Sequence, residues 1–226
     1  MMAAMIELSL VQKIVVWALP LLFAITGHEV AHGWVASKLG DQTARLSGRL
    51  TLNPIKHIDL MGTIIIPLLL LSMSNFVFGW AKPVPVDARN LRHPKRDMAL
   101  VAIAGPCTNL LMAVAWALIG RIGIYFLSMH HPEIGRPLLY MGSAGIIINA
   151  VLGVLNLLPF PPLDGSRVLY SVLPGRIVWR IQRLEPMGFL VLMLLWVTGV
   201  LSYILTPPVM FVIQWITQIF GLGVAI

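Results

Sequence analysis

Apolar and polar stretches alternate along the whole chain. Apolar runs cover about 14–36, 60–77, 98–120, 138–158 and 187–205, and an apolar tail covers 209–226. The first run is long enough to cross a bilayer as a helix, and Pro20 is placed to kink it. The second carries Pro67 at its middle and several β-branched residues. The segments between runs are polar and basic. Lys38, Arg45, Arg49 and Lys56 follow the first run, and Lys82, Arg89, Arg92, Lys95 and Arg96 follow the second. A loop with Arg121, His130, His131 and Arg136 separates the third run from the fourth. The mixed stretch 166–185 reads as interfacial helix broken at Pro174-Gly175, and Pro207-Pro208 reads as the end of the fifth run.

Of 226 residues, 58% are hydrophobic and 11% charged, against about 25% charged in a soluble domain. The pattern predicts an all-α polytopic membrane protein, folded as a single membrane-embedded domain over 1–226. Its core would cover about 14–170, with C-terminal helices over 171–226. The formal charge of +7 belongs to loops that record orientation rather than to a nucleic-acid surface. The single cysteine, Cys107, excludes an intrachain disulfide. No small-residue cleavage site follows the first run, which is therefore kept in the mature chain.

Lysine and arginine mark cytoplasmic loops, so the segments after the first and second runs both belong inside. A second run that enters and returns on one side, as a small re-entrant or β-strand element, satisfies this. Such backbone survives at membrane depth only where protein or water covers it. An ordinary crossing helix is the alternative. The third and fourth runs then go out and return, which places the ends of the first and fourth runs on the same, cytoplasmic side of a cell membrane.

Those two ends carry the chemistry. Gly27-His28-Glu29-Val30-Ala31-His32 reads H-E-x-x-H. On a helix, His28 and His32 share a face and can offer two imidazoles to one metal ion, with Glu29 beside the first as base for a metal-activated water. Ionisable residues inside an apolar helix are costly, which marks them as functional. Asp164 follows the fourth run in Pro159-Phe160-Pro161-Pro162-Leu163-Asp164-Gly165, where the prolines hold an extended path. Gly165 permits close approach beside it. His28, His32 and Asp164 form a three-ligand set for one zinc ion with the fourth position open, as in catalytic sites.

The chain resembles the site-2 protease family of intramembrane zinc metalloproteases. The resemblance rests on H-E-x-x-H at 28–32, on N-x-x-P…L-D-G at 156–165, on Ala104-Gly105-Pro106-Cys107-Thr108-Asn109, and on the passage 79–86 (GWAKPVPV). It covers about 14–170 and is a compact form without room for a PDZ domain between the motifs. The resemblance implies cleavage of transmembrane protein substrates within the bilayer near the cytoplasmic side. Asn156 then becomes a donor to the developing oxyanion. Asn109 is either a weaker donor on the substrate side or a helix-to-helix hydrogen bond. An edge strand within 76–86, with Val84 and Val86 as its substrate-binding positions, would accept an unwound substrate, although a plain connecting loop fits those residues equally. A metal transporter or metal-sensing membrane protein is the competing function, and the glutamate beside His28 favours hydrolysis. His57, His93, His130 and His131 read as solvated, and the arginines of 176–183 as positive-inside surface in contact with anionic lipid.

Overall fold

The computed structural model describes residues 9–65 and 81–223. Helix α1 (Leu10–Lys38) opens on a capping box. The Ser9 hydroxyl accepts from the Gln12 N–H, and the Gln12 side chain accepts from the Ser9 N–H. Its 29 residues extend about 43 Å at the helical rise, enough to cross with a turn to spare. After the one-turn helix α2 (Thr43–Leu46) come a 3-10 turn at Pro54–His57, a π-helical turn at Leu60–Ile65 and a second 3-10 turn at Ala88–Asn90. Two long helices follow, α3 (Pro94–Ser128) and α4 (Pro132–Leu157). The short helices α5 (Asp164–Val172), α6 (Gly175–Gln182) and α7 (Glu185–Val197) lead to α8 (Val200–Ile219).

Four of these helices, α1, α3, α4 and α8, are long and apolar enough to cross a membrane. The chain is a multi-pass membrane protein, all-α, with no strand among the described residues. Its core lies where Ala113, Trp116 and Ala117 of α3 meet Ile146, Ala150 and Val154 of α4 and Val209, Ile213 and Ile216 of α8. Small residues at such contacts let helix backbones approach closely in a medium that supplies no hydrophobic drive between helices. Large apolar residues on the outside of α1, among them Ile14, Val15, Leu21 and Phe23, remain exposed to the surroundings.

Several element boundaries differ from expectation. The third run continues to Ser128 and the fourth begins at Pro132, so Arg121 and Arg136 lie in helices and only 129–131 turn. Pro207-Pro208 does not end a helix. The break falls at Gly199, which adopts a left-handed φ of 77°, and α8 runs through both prolines. Freed carbonyls in a membrane helix find other partners in the bundle, so proline is a weaker stop there than in water. The expected break at Pro174-Gly175 separates α5 from α6.

The second apolar run falls largely on 66–80, outside the described residues, and so does the first half of the expected edge strand. Its flanks are described, and they meet: the Lys82 N–H donates to the His57 carbonyl at 2.9 Å. Residues 81–87 are irregular.

Candidate metal centre

His28 and His32 sit one turn apart near the end of α1, and both are buried. Each ring is held through its Nδ1. His28 Nδ1 lies 2.6 Å from Asn109 Oδ1, and His32 Nδ1 lies 2.7 Å from the Val101 carbonyl. A carbonyl oxygen only accepts, so both Nδ1 atoms carry a proton, and in the neutral ring each Nε2 then offers its lone pair. The orientation of the Asn109 amide is fixed in turn. Its Nδ2 donates to the Ala24 carbonyl (3.2 Å) and to Asn149 Oδ1 (3.0 Å), and Asn149 Nδ2 donates to the Gly145 carbonyl (2.9 Å). Both asparagines are fully buried. Asn109 thus stands behind His28, between α1, α3 and α4, in the place of the helix-to-helix hydrogen bond that is its alternative reading.

Asp164 arrives as the first residue of α5, after the turn that leaves α4 at Leu157. Gly165 makes that turn possible, because a Cβ there would collide with the carbonyls of Leu157 and Leu158. Asp164 Oδ2 lies 3.0 Å from His28 Nε2 and 3.2 Å from His32 Nε2, and the two Nε2 atoms are 3.0 Å apart. Three groups that can each donate an electron pair therefore converge on one point, an arrangement that a metal cation held between them stabilises. Bonds of about 2.0–2.1 Å in a tetrahedral site put neighbouring ligand atoms about 3.3 Å apart. The observed triangle is close to that size, and the donor set of two imidazoles and a carboxylate suits zinc. Among the described residues this is the one group of three or more His, Cys, Asp or Glu side chains so arranged.

Room for the rings depends on Gly105. A methyl group there would lie 2.5 Å from His32 Nε2 and 2.6 Å from His28 Nε2. Gly105→Ala is expected to force the imidazoles aside and weaken metal binding by about 10- to 100-fold, as changes just outside a ligand set do. Competition against a chelator of known affinity measures this; unchanged affinity would mean that the rings do not need the space.

Glu29 Oε2 accepts the Val84 N–H at 2.7 Å, and the residue lines a cavity of about 670 Å³. His28, Glu29, Asn156 and Leu163 line one wall of that cavity, and Phe189 and Met193 of α7 help form the other. Asn156 is on the cavity, but its Nδ2 donates to Leu152 of its own helix at 3.0 Å. Val84 is buried, and Val86 packs on Ala36, Leu91 and Val101. Both valine side chains thus face protein.

The segment carrying Val84 is tied down at several points that the sequence did not reveal. Arg49 Nη2 donates to the carbonyls of Lys82 (2.7 Å) and Pro83 (3.3 Å). The fully buried Asp41 accepts from the Asp87 N–H (2.7 Å), from Asn90 Nδ2 (3.1 Å), and from the Thr43 N–H (3.0 Å) and hydroxyl. Burial raises the pKa of the Asp41 carboxyl, but these donors outweigh it and hold the group below its ordinary value. An aspartate two residues before a threonine signals a local turn; its bonds to residues 46 and 49 positions away leave no such signal. Of the other histidines, His57 bonds the Thr51 carbonyl and His131 pairs with Glu133.

Comparison with known proteins agrees with this geometry. The chain matches peptidase family M50 over residues 118–197, a stretch that includes Asp164. It is 41% identical over 195 residues to a Bacillus subtilis (strain 168) protein named "Putative zinc metalloprotease YwhC", covering 83% of this chain and 82% of that one. A Mycolicibacterium smegmatis protein named "Putative zinc metalloprotease Rip2" is 28% identical over 184 residues, 80% of this chain and 66% of that one. "Zinc metalloprotease MJ0392" of Methanocaldococcus jannaschii is 24% identical over 175 residues, 76% of this chain and 39% of that one. No solved structure matches the chain.

Proposed function

From its membership of peptidase family M50, the site-2 protease family of zinc metalloproteases, we propose that this chain is an intramembrane endopeptidase that cuts transmembrane segments of other proteins. Family membership sets aside the transporter reading. The observation that carries the proposal is the meeting of His28, His32 and Asp164 at one point, beside a cavity that His28 and Glu29 line.

In this reading the two Nε2 atoms and the Asp164 carboxylate hold one zinc ion. Zinc in such a site supplies Lewis acidity that brings the pKa of a water toward neutrality. The chain's own part is to place and move a proton. Glu29 takes it from the attacking water on Oε1, while the Val84 N–H keeps Oε2 still. Glu29 then gives the proton to the departing amide nitrogen as the C–N bond breaks. Asn156, once turned from the Leu152 carbonyl, donates to the oxyanion. Asn109 acts through His28, whose tautomer it fixes.

Orientation follows from charge. Thirteen of the sixteen lysines and arginines lie at the His32 end of the bundle, ten in loops and short helices and Lys38, Lys95 and Arg96 at the ends of α1 and α3, leaving Lys13, Arg121 and Arg136. By the positive-inside rule that end, and with it the site, faces the cytoplasm of a cell membrane. The test is cleavage of a model transmembrane segment by purified protein. Chelation is expected to abolish cleavage and zinc to restore it, whereas cleavage that persists in metal-free protein would exclude the reading.

A further inference from the structure

Helix α6 has no buried residue. Arg176 and Arg180, with Arg183 just past its end, are exposed, and so are Ile177, Trp179 and Leu184. The Arg183 guanidinium lies 3.6 Å from the centre of the Trp179 ring. A short helix that mixes arginines with exposed apolar residues, at the end of membrane-crossing helices, has the composition of an interfacial element. Beside it is a second cavity of about 530 Å³, with Lys95 and Met98 of α3, Arg167 and Tyr170 of α5, and Gln182 and Glu185 on its walls.

Neither cation in that cavity pairs with a carboxylate among the described residues. Lys95 Nζ donates to the Leu173 carbonyl at 3.0 Å, and the recorded partner of Arg167 is the Met98 sulfur at 3.7 Å. Sulfur is a poor acceptor for a guanidinium. The Tyr170 hydroxyl is on the same wall, with the Ser166 side chain beside it. Two cations and a hydroxyl suit a phosphodiester. The surrounding Arg176, Arg180 and Arg183, against Glu185 alone, favour a lipid of net negative charge.

We propose that this cavity and α6 together bind an anionic phospholipid, with its phosphodiester against Lys95 and Arg167. The site is mechanically close to the metal centre. Arg167 is three residues after Asp164 on α5, a neighbouring position on a helix, and α6 leads directly into α7, which lines the active cavity. An occupant that fixes α5 and α6 steadies both the aspartate and that wall. The lipid site rests on the bilayer setting and not on the metal reading.

The test uses the purified full chain in nanodiscs of phosphatidylcholine alone, or with phosphatidylethanolamine or phosphatidylglycerol added. Lipid retained after transfer to detergent is counted by native mass spectrometry. Phosphatidylglycerol is expected to be retained over the other two. Each of Arg176→Gln, Arg180→Gln and Arg183→Gln is expected to lower its apparent affinity about fivefold, the effect of one basic residue near an anionic surface. Lys95→Gln with Arg167→Gln should remove retention, and the exposed α6 variants keep the test decisive if that pair misfolds. Equal retention of all three lipids, or of phosphatidylglycerol by wild type and α6 variants, would overturn the proposal. Displacement by inorganic phosphate would also overturn it, by identifying a free-anion site. Retention is read without cleavage, so a failed protease assay leaves it interpretable. If cleavage occurs, phosphatidylglycerol should raise it several-fold in wild type and not in the α6 variants, whose rate in phosphatidylcholine matches wild type.

Discussion

Glu29→Gln is expected to bind zinc as wild type does and to cleave a transmembrane substrate roughly 100- to 10,000-fold more slowly, the range for loss of a general acid–base group. Glu29 is outside the ligand triangle, so its loss leaves His28, His32 and Asp164 in place. The glutamine carbonyl can still accept the Val84 N–H that Glu29 Oε2 accepts at 2.7 Å, and the local fold is thereby conserved. What disappears is the ability to receive a proton, because a neutral amide is not basic near pH 7. Metal content and turnover measured on the same preparation separate the two effects. Full turnover by this variant would remove Glu29 from the proton path, and loss of zinc would reassign it to holding the ligands.

Much of this site was legible because its decisive features are local or chemically improbable. Four-residue spacing alone puts His28 and His32 on one face of α1, and their occurrence in an apolar run makes them conspicuous. Asp164 stood out for the same reason, at the end of an apolar run and behind a proline cluster. The positive charges at 37–59 and 78–97 indicated that both flanks of the second run share a side, and the His57–Lys82 hydrogen bond brings those flanks together. Partners set by packing were not legible. Asn109 read equally as a weak oxyanion donor and as a helix-to-helix hydrogen bond, and only the helix crossing shows it on His28, because its place in α3 is one turn beyond Gly105, where the backbones are close enough for the rings to fit. Asn149, Asp41 and Arg49 act across separations of 33 to 49 residues, and no sequence periodicity reports such pairings. Pro207-Pro208 misled because proline is a reliable helix stop in water, where a freed carbonyl simply hydrates, but a weaker one inside a bundle.

Asp164→Ala carries the other large expectation, loss of stoichiometric zinc. It should exceed the approximately 10- to 100-fold weakening typical of changes outside the ligand set, because one of the three proposed ligands goes, and with it the only negative charge in the triangle. The two remaining Nε2 atoms, 3.0 Å apart, offer too few bonds to strip a divalent cation of its hydration. The fold should survive, since Asp164 is the first residue of α5, and removing an acidic group from a helix's first turn costs about 0.3–1 kcal/mol. Asp164→Asn sharpens the result. Its amide has nearly the same shape but no charge, so zinc loss there as well identifies charge, and not a cavity left by truncation, as the cause. Zinc titration of each variant with a competing chelator, beside its thermal unfolding, gives both numbers. Wild-type affinity in Asp164→Ala would show that α5 does not supply a ligand, and the convergence of α1 and α5 would then need a different explanation.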